Sequence, residues 1–470
     1  MRASPRMPEK RQVAVIGLDC ATPQLVFDRY LNDLPNLKRL VEGGVYGRLR
    51  SCDPPITVPA WACMTTGVDA GTLGLYGFRN RKDYTYDGLM FATSLAIKRD
   101  RIWERLSREG FRSIVVGVPQ TYPPKPFDGE MITCFLTPSI QSPYTHPPEL
   151  KDEIADFLGE DYLLDVKGFR TDDKQYILDQ CYKMTEQRFR LARHFVQTRP
   201  WDFFMMVEMG PDRVYHGLWS YTDPTHPKYV PGNPFENCIR DYHVYLDARM
   251  GELVEALGPE CVVLVASDHG AKKMDGGICV NEWLIRNGWL ALDEMPREPT
   301  ALEKCRIDWS RTRAWGEGGY YARVFMNVQG REPKGIISPA DYEKVRDELK
   351  AALEAIPDHE GRPIGTRALK PQEIYRTVAG VPPDLIVYWG DLDWRSVGQV
   401  GAGQIYTFEN DTGPDDANHD YHGIFVMRDP AKPGGGRRLE GLHLMDVAPT
   451  VLSYFRLEPE ADVQGKRITW

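Results

Sequence analysis

The run Cys261-Val262-Val263-Leu264-Val265-Ala266-Ser267-Asp268-His269-Gly270 constrains this chain more than any other stretch. Its apolar half reads as a strand buried on both faces of a sheet, the setting of α/β folds. In open α/β sheets the site lies beyond the carboxyl ends of the strands, where Asp268 and His269 fall, and Gly270 lets the backbone turn away. An isolated Asp-His-Gly is more often a polar turn. The site reading gains weight because other apolar runs end the same way.

Val13-Ala14-Val15-Ile16-Gly17-Leu18 is a second such run, closed by Asp19, which is a ligand candidate or an ordinary helix cap. A third, Phe203-Phe204-Met205-Met206-Val207, leads into Asp212 and His216, four residues apart. That spacing brings both side chains to one helix face, where they can hold a single cation. Thr57 lies between prolines, ahead of a helical stretch through Gly67 whose free N–H groups suit a phosphate. A threonine there is either a nucleophile or a helix cap.

Asp19, Ile56-Thr57-Val58-Pro59-Ala60-Trp61, Thr66-Gly67 and Gly74-Leu75-Tyr76-Gly77-Phe78 together resemble the alkaline phosphatase superfamily, nearest to its type I phosphodiesterase/nucleotide pyrophosphatase branch. Further segments carry the likeness over about 440 residues, among them Asn281-Glu282-Trp283-Leu284, Pro383-Asp384-Leu385-Ile386-Val387 and Met445-Asp446-Val447-Ala448-Pro449. The resemblance implies one catalytic domain over 1–470, a three-layer α/β sandwich with a central mostly parallel sheet. Segments 80–200 and 290–380 are expected as insertions capping the site. Within them the patterns predict strands near Ser113 to Val118 and Met131 to Phe135, and helices at Lys174 to Gln197 and Ala340 to Ala355, the last with Ser338 as cap and Pro339 at its first position. Tyr144 and His146 fall in a loop-like stretch where surface positions are expected.

The resemblance also implies two divalent cations. Asp19, Thr57, Asp268 and His269 would hold one, and Asp212, His216 and His419 the other. His419 is preferred by its spacing to Gly423-Ile424-Phe425, with His422 its rival. Mixed carboxylate and imidazole ligands suit Zn²⁺, with Mn²⁺ or Fe as alternatives. Paired cations clamp the entering and departing oxygens of an in-line displacement at phosphorus, so Thr57 is expected to form a covalent phosphothreonine. A phosphodiesterase is expected, with phosphomonoesterase or nucleotide pyrophosphatase as alternatives. In the pyrophosphatase branch an amide after the nucleophile binds a phosphoryl oxygen; here the matching place holds Phe78, with Asn80 as a substitute. Arg79, Arg213 and Lys272 are the basic candidates for substrate. Sulfatase chemistry requires a modifiable Cys or Ser and an Arg where this chain has Thr57 and Trp61. A metal-binding homologue without catalysis would lack a ligand or the nucleophile, and none is missing.

A formal charge of -9 gives no electrostatic reason to expect a nucleic-acid duplex or an anionic membrane as partner, so the expected partner is a small phosphate ester. Nine scattered cysteines without a CxxC, no apolar leader between Met1 and Arg11, and no run long enough for a membrane span point to the cytoplasm.

Overall fold

The computed structural model describes residues 11–470, so the leader-free reading of Met1 to Arg11 falls almost wholly outside it. Its centre is a nine-stranded sheet. The order is 437–443, 45–50, 422–428, 262–266, 13–18, 203–208, 113–116, 129–132 and 145–146. Five of the eight pairings are parallel, as expected. The three middle strands, Val262–Ala266, Val13–Leu18 and Phe203–Glu208, are buried at every residue. They run parallel and in register, with Val15 between Met205 and Leu264. Asp19, Glu208 and the Ser267-Asp268-His269 turn therefore emerge at one edge.

Helices surround the sheet. Lys174–Thr198 buries Ile177, Leu178, Cys181, Met184 and Phe195 at helical spacing and packs on Cys238–Leu257 and Gly210–Thr222. Its Asp173 cap accepts a hydrogen bond from the Tyr176 N–H at 2.9 Å. None of the described helices is long and apolar enough to cross a membrane.

Within 80–200, Ser113–Val116, Gly129–Ile132 and Thr145–His146 extend the main sheet, and Tyr144, expected at the surface, is buried. Strands this short carry too little pattern to announce their sheet. A second lobe has its own apolar core, reaching from Ile278 to Val400. A four-stranded sheet runs through it in the order 314–317, 322–326, 385–388, 367–369. The helix expected from Ala340 begins instead at Tyr342, because the Ser338 hydroxyl accepts from the Ala340 N–H and closes a turn before it.

Candidate active site

Thr57 is not a helix cap. It is the first residue of the helix Thr57–Thr66, and Ile56, in extended conformation, holds the cap position without an oxygen to offer. The start of that helix thus keeps its N–H dipoles for a ligand. The helix lies close to the central strand because Gly17 has no side chain: a Cβ there would sit 2.5 Å from Trp61 Cη2. That approach lets the Trp61 indole N–H donate to Asp19 Oδ2 at 2.6 Å, so Asp19 is braced by the helix that carries Thr57.

Two groups of donor atoms, one of four and one of three, form beyond the strand ends. In one, His269 Nε2 lies 3.2 Å from Thr57 Oγ1, 3.1 Å from Asp268 Oδ2 and 3.8 Å from Asp19 Oδ1. In the other, His216 Nε2 lies 3.3 Å from Asp212 Oδ1 and 3.2 Å from His419 Nε2, with His419 Nε2 3.8 Å from the same Asp212 oxygen. Each ring has its Nδ1 beside an acceptor: His216 at Asp415 Oδ1 (2.8 Å), His419 at the Pro55 carbonyl (2.9 Å) and His269 at the Gly270 carbonyl (3.1 Å). A proton on each Nδ1 leaves three Nε2 lone pairs converging on the acids.

These donors fit divalent cations. Ligands of a tetrahedral site with bonds near 2.0 Å stand roughly 3.3 Å apart, the scale of both groups. Asp19 Oδ1 and Asp268 Oδ2 are buried and accept no hydrogen bond, which is costly unless a cation meets them. Three clusters of possible ligands occur among the described residues, and all draw on this set together with Cys20.

The electrostatics follow from crowding. Burial, and after it the charge of a neighbouring acid, pushes Asp19 and Asp268 well above the usual carboxylate range. Burial opposes ionisation of Asp212 too, but His216 and Arg213 hold it well below that range. Against burial, Asp415 and Asp212 raise His216 to about 9, whereas burial takes His269 down to about 4. His419 is also well below its usual value, through burial and the neighbouring imidazoles.

All seven preferred candidates, Asp19, Thr57, Asp212, His216, Asp268, His269 and His419, are therefore brought together. His422 is not: it sits on the strand His422–Arg428 opposite Arg50, half-buried and outside the cluster. The Asn80 amide is engaged locally: its oxygen accepts from the Tyr76 N–H and its nitrogen donates to the Gly77 carbonyl. Lys272 is tied to Asp393 at 2.7 Å, away from the cleft. Phe78, Arg79 and Arg213 do line the cleft.

Four site residues escaped sequence reasoning. Asp415 holds His216 and is itself held by Arg170 at 3.1 Å. Tyr320 stacks on both His216 and His419, with ring centres 4.8 and 4.1 Å apart. Trp61 orients Asp19. Cys20, with a left-handed φ of 65°, turns its N–H onto Asp268 Oδ1 at 3.2 Å, a backbone position that non-glycine residues avoid unless the surroundings enforce it. Only the closeness of Asp415 to His419 in sequence hinted at any of these.

The cluster opens into a cleft of about 610 Å³ between the main sheet and the second lobe, with Thr57, Asp212 and His419 at its floor and Phe78, Phe135 and Phe169 on its walls.

A family model described as type I phosphodiesterase / nucleotide pyrophosphatase matches residues 13–415. Among curated proteins, none matches the chain in sequence. Human ectonucleotide pyrophosphatase / phosphodiesterase 5 is similar in structure at 13% identity, with a TM-score of 0.57 and 97% of each chain covered. An inactive form of the murine protein in complex with AMP is similar at 13% identity, with a TM-score of 0.54 and 96% of each chain covered. At such identities the likeness speaks for the fold.

Proposed function

The chain belongs to the type I phosphodiesterase / nucleotide pyrophosphatase family, and from that premise we propose that it is a two-metal phosphohydrolase, cleaving phosphate diesters with Thr57 as nucleophile. The observation that carries this reading is the placement of Thr57 Oγ1 3.2 Å from His269 Nε2, among converging imidazoles and unpartnered carboxylate oxygens.

Asp19, Asp268, His269 and Thr57 would hold one cation, and Asp212, His216 and His419 the other. Zn²⁺ suits the donors best, with Mn²⁺ or Fe next. When bound, such cations stabilise charge on the entering and departing oxygens and lower the pKa of hydroxyls they touch. Thr57 Oγ1 attacks phosphorus in line, and the ester oxygen opposite it departs. The first N–H groups of helix 57–66 receive a non-bridging oxygen. Water then cleaves the phosphothreonine and restores the hydroxyl, so two inversions retain configuration at phosphorus.

The substrate is a small phosphate ester, in keeping with a cleft of about 610 Å³. Nine free cysteines, eight of them buried, support a reducing compartment, the cytoplasm. The deciding experiment compares an aryl phosphodiester with the matching monoester, with Zn²⁺ and Mn²⁺ supplied separately. Diester turnover exceeding monoester turnover is expected. The reverse order makes the protein a phosphomonoesterase, and no turnover with either metal defeats the hydrolase reading.

A further inference from the structure

Five arginines line the cleft, and three of them are neutralised. Arg170 pairs with Asp415 at 3.1 Å, Arg213 with Asp165 at 2.8 Å and Arg395 with Asp411 at 3.3 Å. Arg79 and Arg323 differ. Neither is joined to a carboxylate by an ion pair among the described residues, although Arg323 is only 7% exposed. Arg323 Nη1 donates to the Arg79 carbonyl, which locks the two residues together. The Arg79 guanidinium rests beside the Phe91 ring, 5.9 Å from its centre.

Arg323 is positioned from two directions. Arg323 belongs to the strand Ala322–Met326 of the second lobe. Its guanidinium abuts Gly77, where a Cβ would come within 3.3 Å of Nη1. Gly77 and Phe78 share the cleft wall with Ile56 and Thr57. Glu317 is the cross-strand partner of Arg323, yet it forms no ion pair with either arginine; burial pushes its carboxyl up, and the two guanidinium charges only partly oppose this. Glu317 feels both charges without pairing with either, so the Arg323 donors not engaged by the Arg79 carbonyl are left for an anion entering from the cleft. No hydrogen bond or ion pair links Arg79 or Arg323 to the clustered acids and imidazoles, so the pair does not serve the reacting centre itself.

We propose that Arg79 and Arg323 form an anion subsite for the non-reacting half of the substrate, so that the preferred ester carries a second anionic group, a phosphate or carboxylate, beyond the scissile bond. This deepens the phosphohydrolase reading and rests on it for the word substrate, while the subsite itself requires no catalysis. Guanidinium groups match such anions through paired, charge-assisted hydrogen bonds.

Two measurements test it. In the first, kcat/KM is compared for two aryl phosphodiesters whose second arm ends in a carboxylate or in the corresponding amide. The wild type should favour the carboxylate by about tenfold or more, the scale of one charge-assisted contact. In Arg79→Gln and in Arg323→Gln the ratio should fall toward one. A wild-type ratio near one, or a ratio unchanged in Arg79→Gln, a change at an exposed side chain, overturns the subsite. The second measurement stands apart from turnover: binding of inorganic pyrophosphate to chelator-treated protein by calorimetry. Affinity should drop about tenfold in either variant. Absent binding to the wild type, or equal binding to wild type and Arg79→Gln, also overturns the subsite. Binding that behaves as expected in a protein without turnover would leave the subsite standing and remove the hydrolase reading alone.

Discussion

The Nε2 atoms of His216 and His419 face each other at 3.2 Å, while the Nδ1 atoms of the same rings are held by Asp415 and by the Pro55 carbonyl. With a cation bound, both rings would be neutral at Nε2 and could ligate it together with Asp212, displacing the proton that Asp415 and Asp212 otherwise hold on His216.

Metal removal should therefore cost both activity and stability. Dialysis against a chelator is expected to abolish diester hydrolysis and lower the melting temperature, and Zn²⁺ or Mn²⁺ should restore both. With free cation about a thousandfold above Kd, the stabilisation is about 4 kcal/mol. Melting curves with and without chelator check this, and identical curves would count against a cation site.

Thr57→Ala should remove turnover while leaving metal content nearly unchanged, because Asp19, Asp268 and His269 remain. Acid-quenched wild type incubated with substrate should gain the mass of one phosphoryl group on the peptide containing Thr57. Hydrolysis that survives in the variant would falsify the nucleophile assignment.

Asp415→Asn keeps the shape but takes the charge from the Nδ1 side of His216. Weakening an outer partner of this kind costs about 10- to 100-fold in metal affinity. A chelator-competition titration measures it directly, and an unchanged affinity would show that Asp415 does not position His216.

Gly17→Ala places a methyl 2.5 Å from Trp61 Cη2 and 2.7 Å from Val207 Cγ2. Overpacking of this kind costs about 1–3 kcal/mol. Because the displaced indole also holds Asp19, activity should fall by more than denaturant stability alone would explain. Full activity at reduced stability would separate the indole from the site.

His243 supplies a pH signature away from the cluster. Burial lowers it to about 4, and its Nε2 meets the Tyr215 hydroxyl at 2.7 Å. The ring stays neutral in the folded chain below pH 6.5 while the unfolded chain binds a proton. Stability is therefore complete above about pH 6.5 and falls as pH drops toward 4. At pH 5 the loss is about 2 kcal/mol. Denaturant titrations of His243→Phe should show a shallower decline between pH 7 and 5 than the wild type. Parallel declines would place the acid sensitivity elsewhere.

Much of the site was legible in the chain itself. Apolar runs covered on both faces read as central strands, and a strand that ends in an acid delivers that acid to the sheet edge, which made Asp19, Asp268 and His269 candidates; helical spacing did the same for Asp212 and His216, and the family resemblance turned these candidates into a ligand set. Tertiary structure alone decided the rest, because those relationships join residues far apart in sequence. The choice of His419 over His422 depends on which residue lies on the strand Ala417–Asp420 that pairs with Gly270–Lys273. The clamp of Asp415 on His216 and the Trp61 brace on Asp19 are contacts between separate elements. Short strands such as Gly129–Ile132, expected near Met131 to Phe135, carry too few residues to say which sheet they join. Local sequence sets which backbone forms and which face is apolar, whereas convergence of side chains is a property of packing, and no periodicity records it.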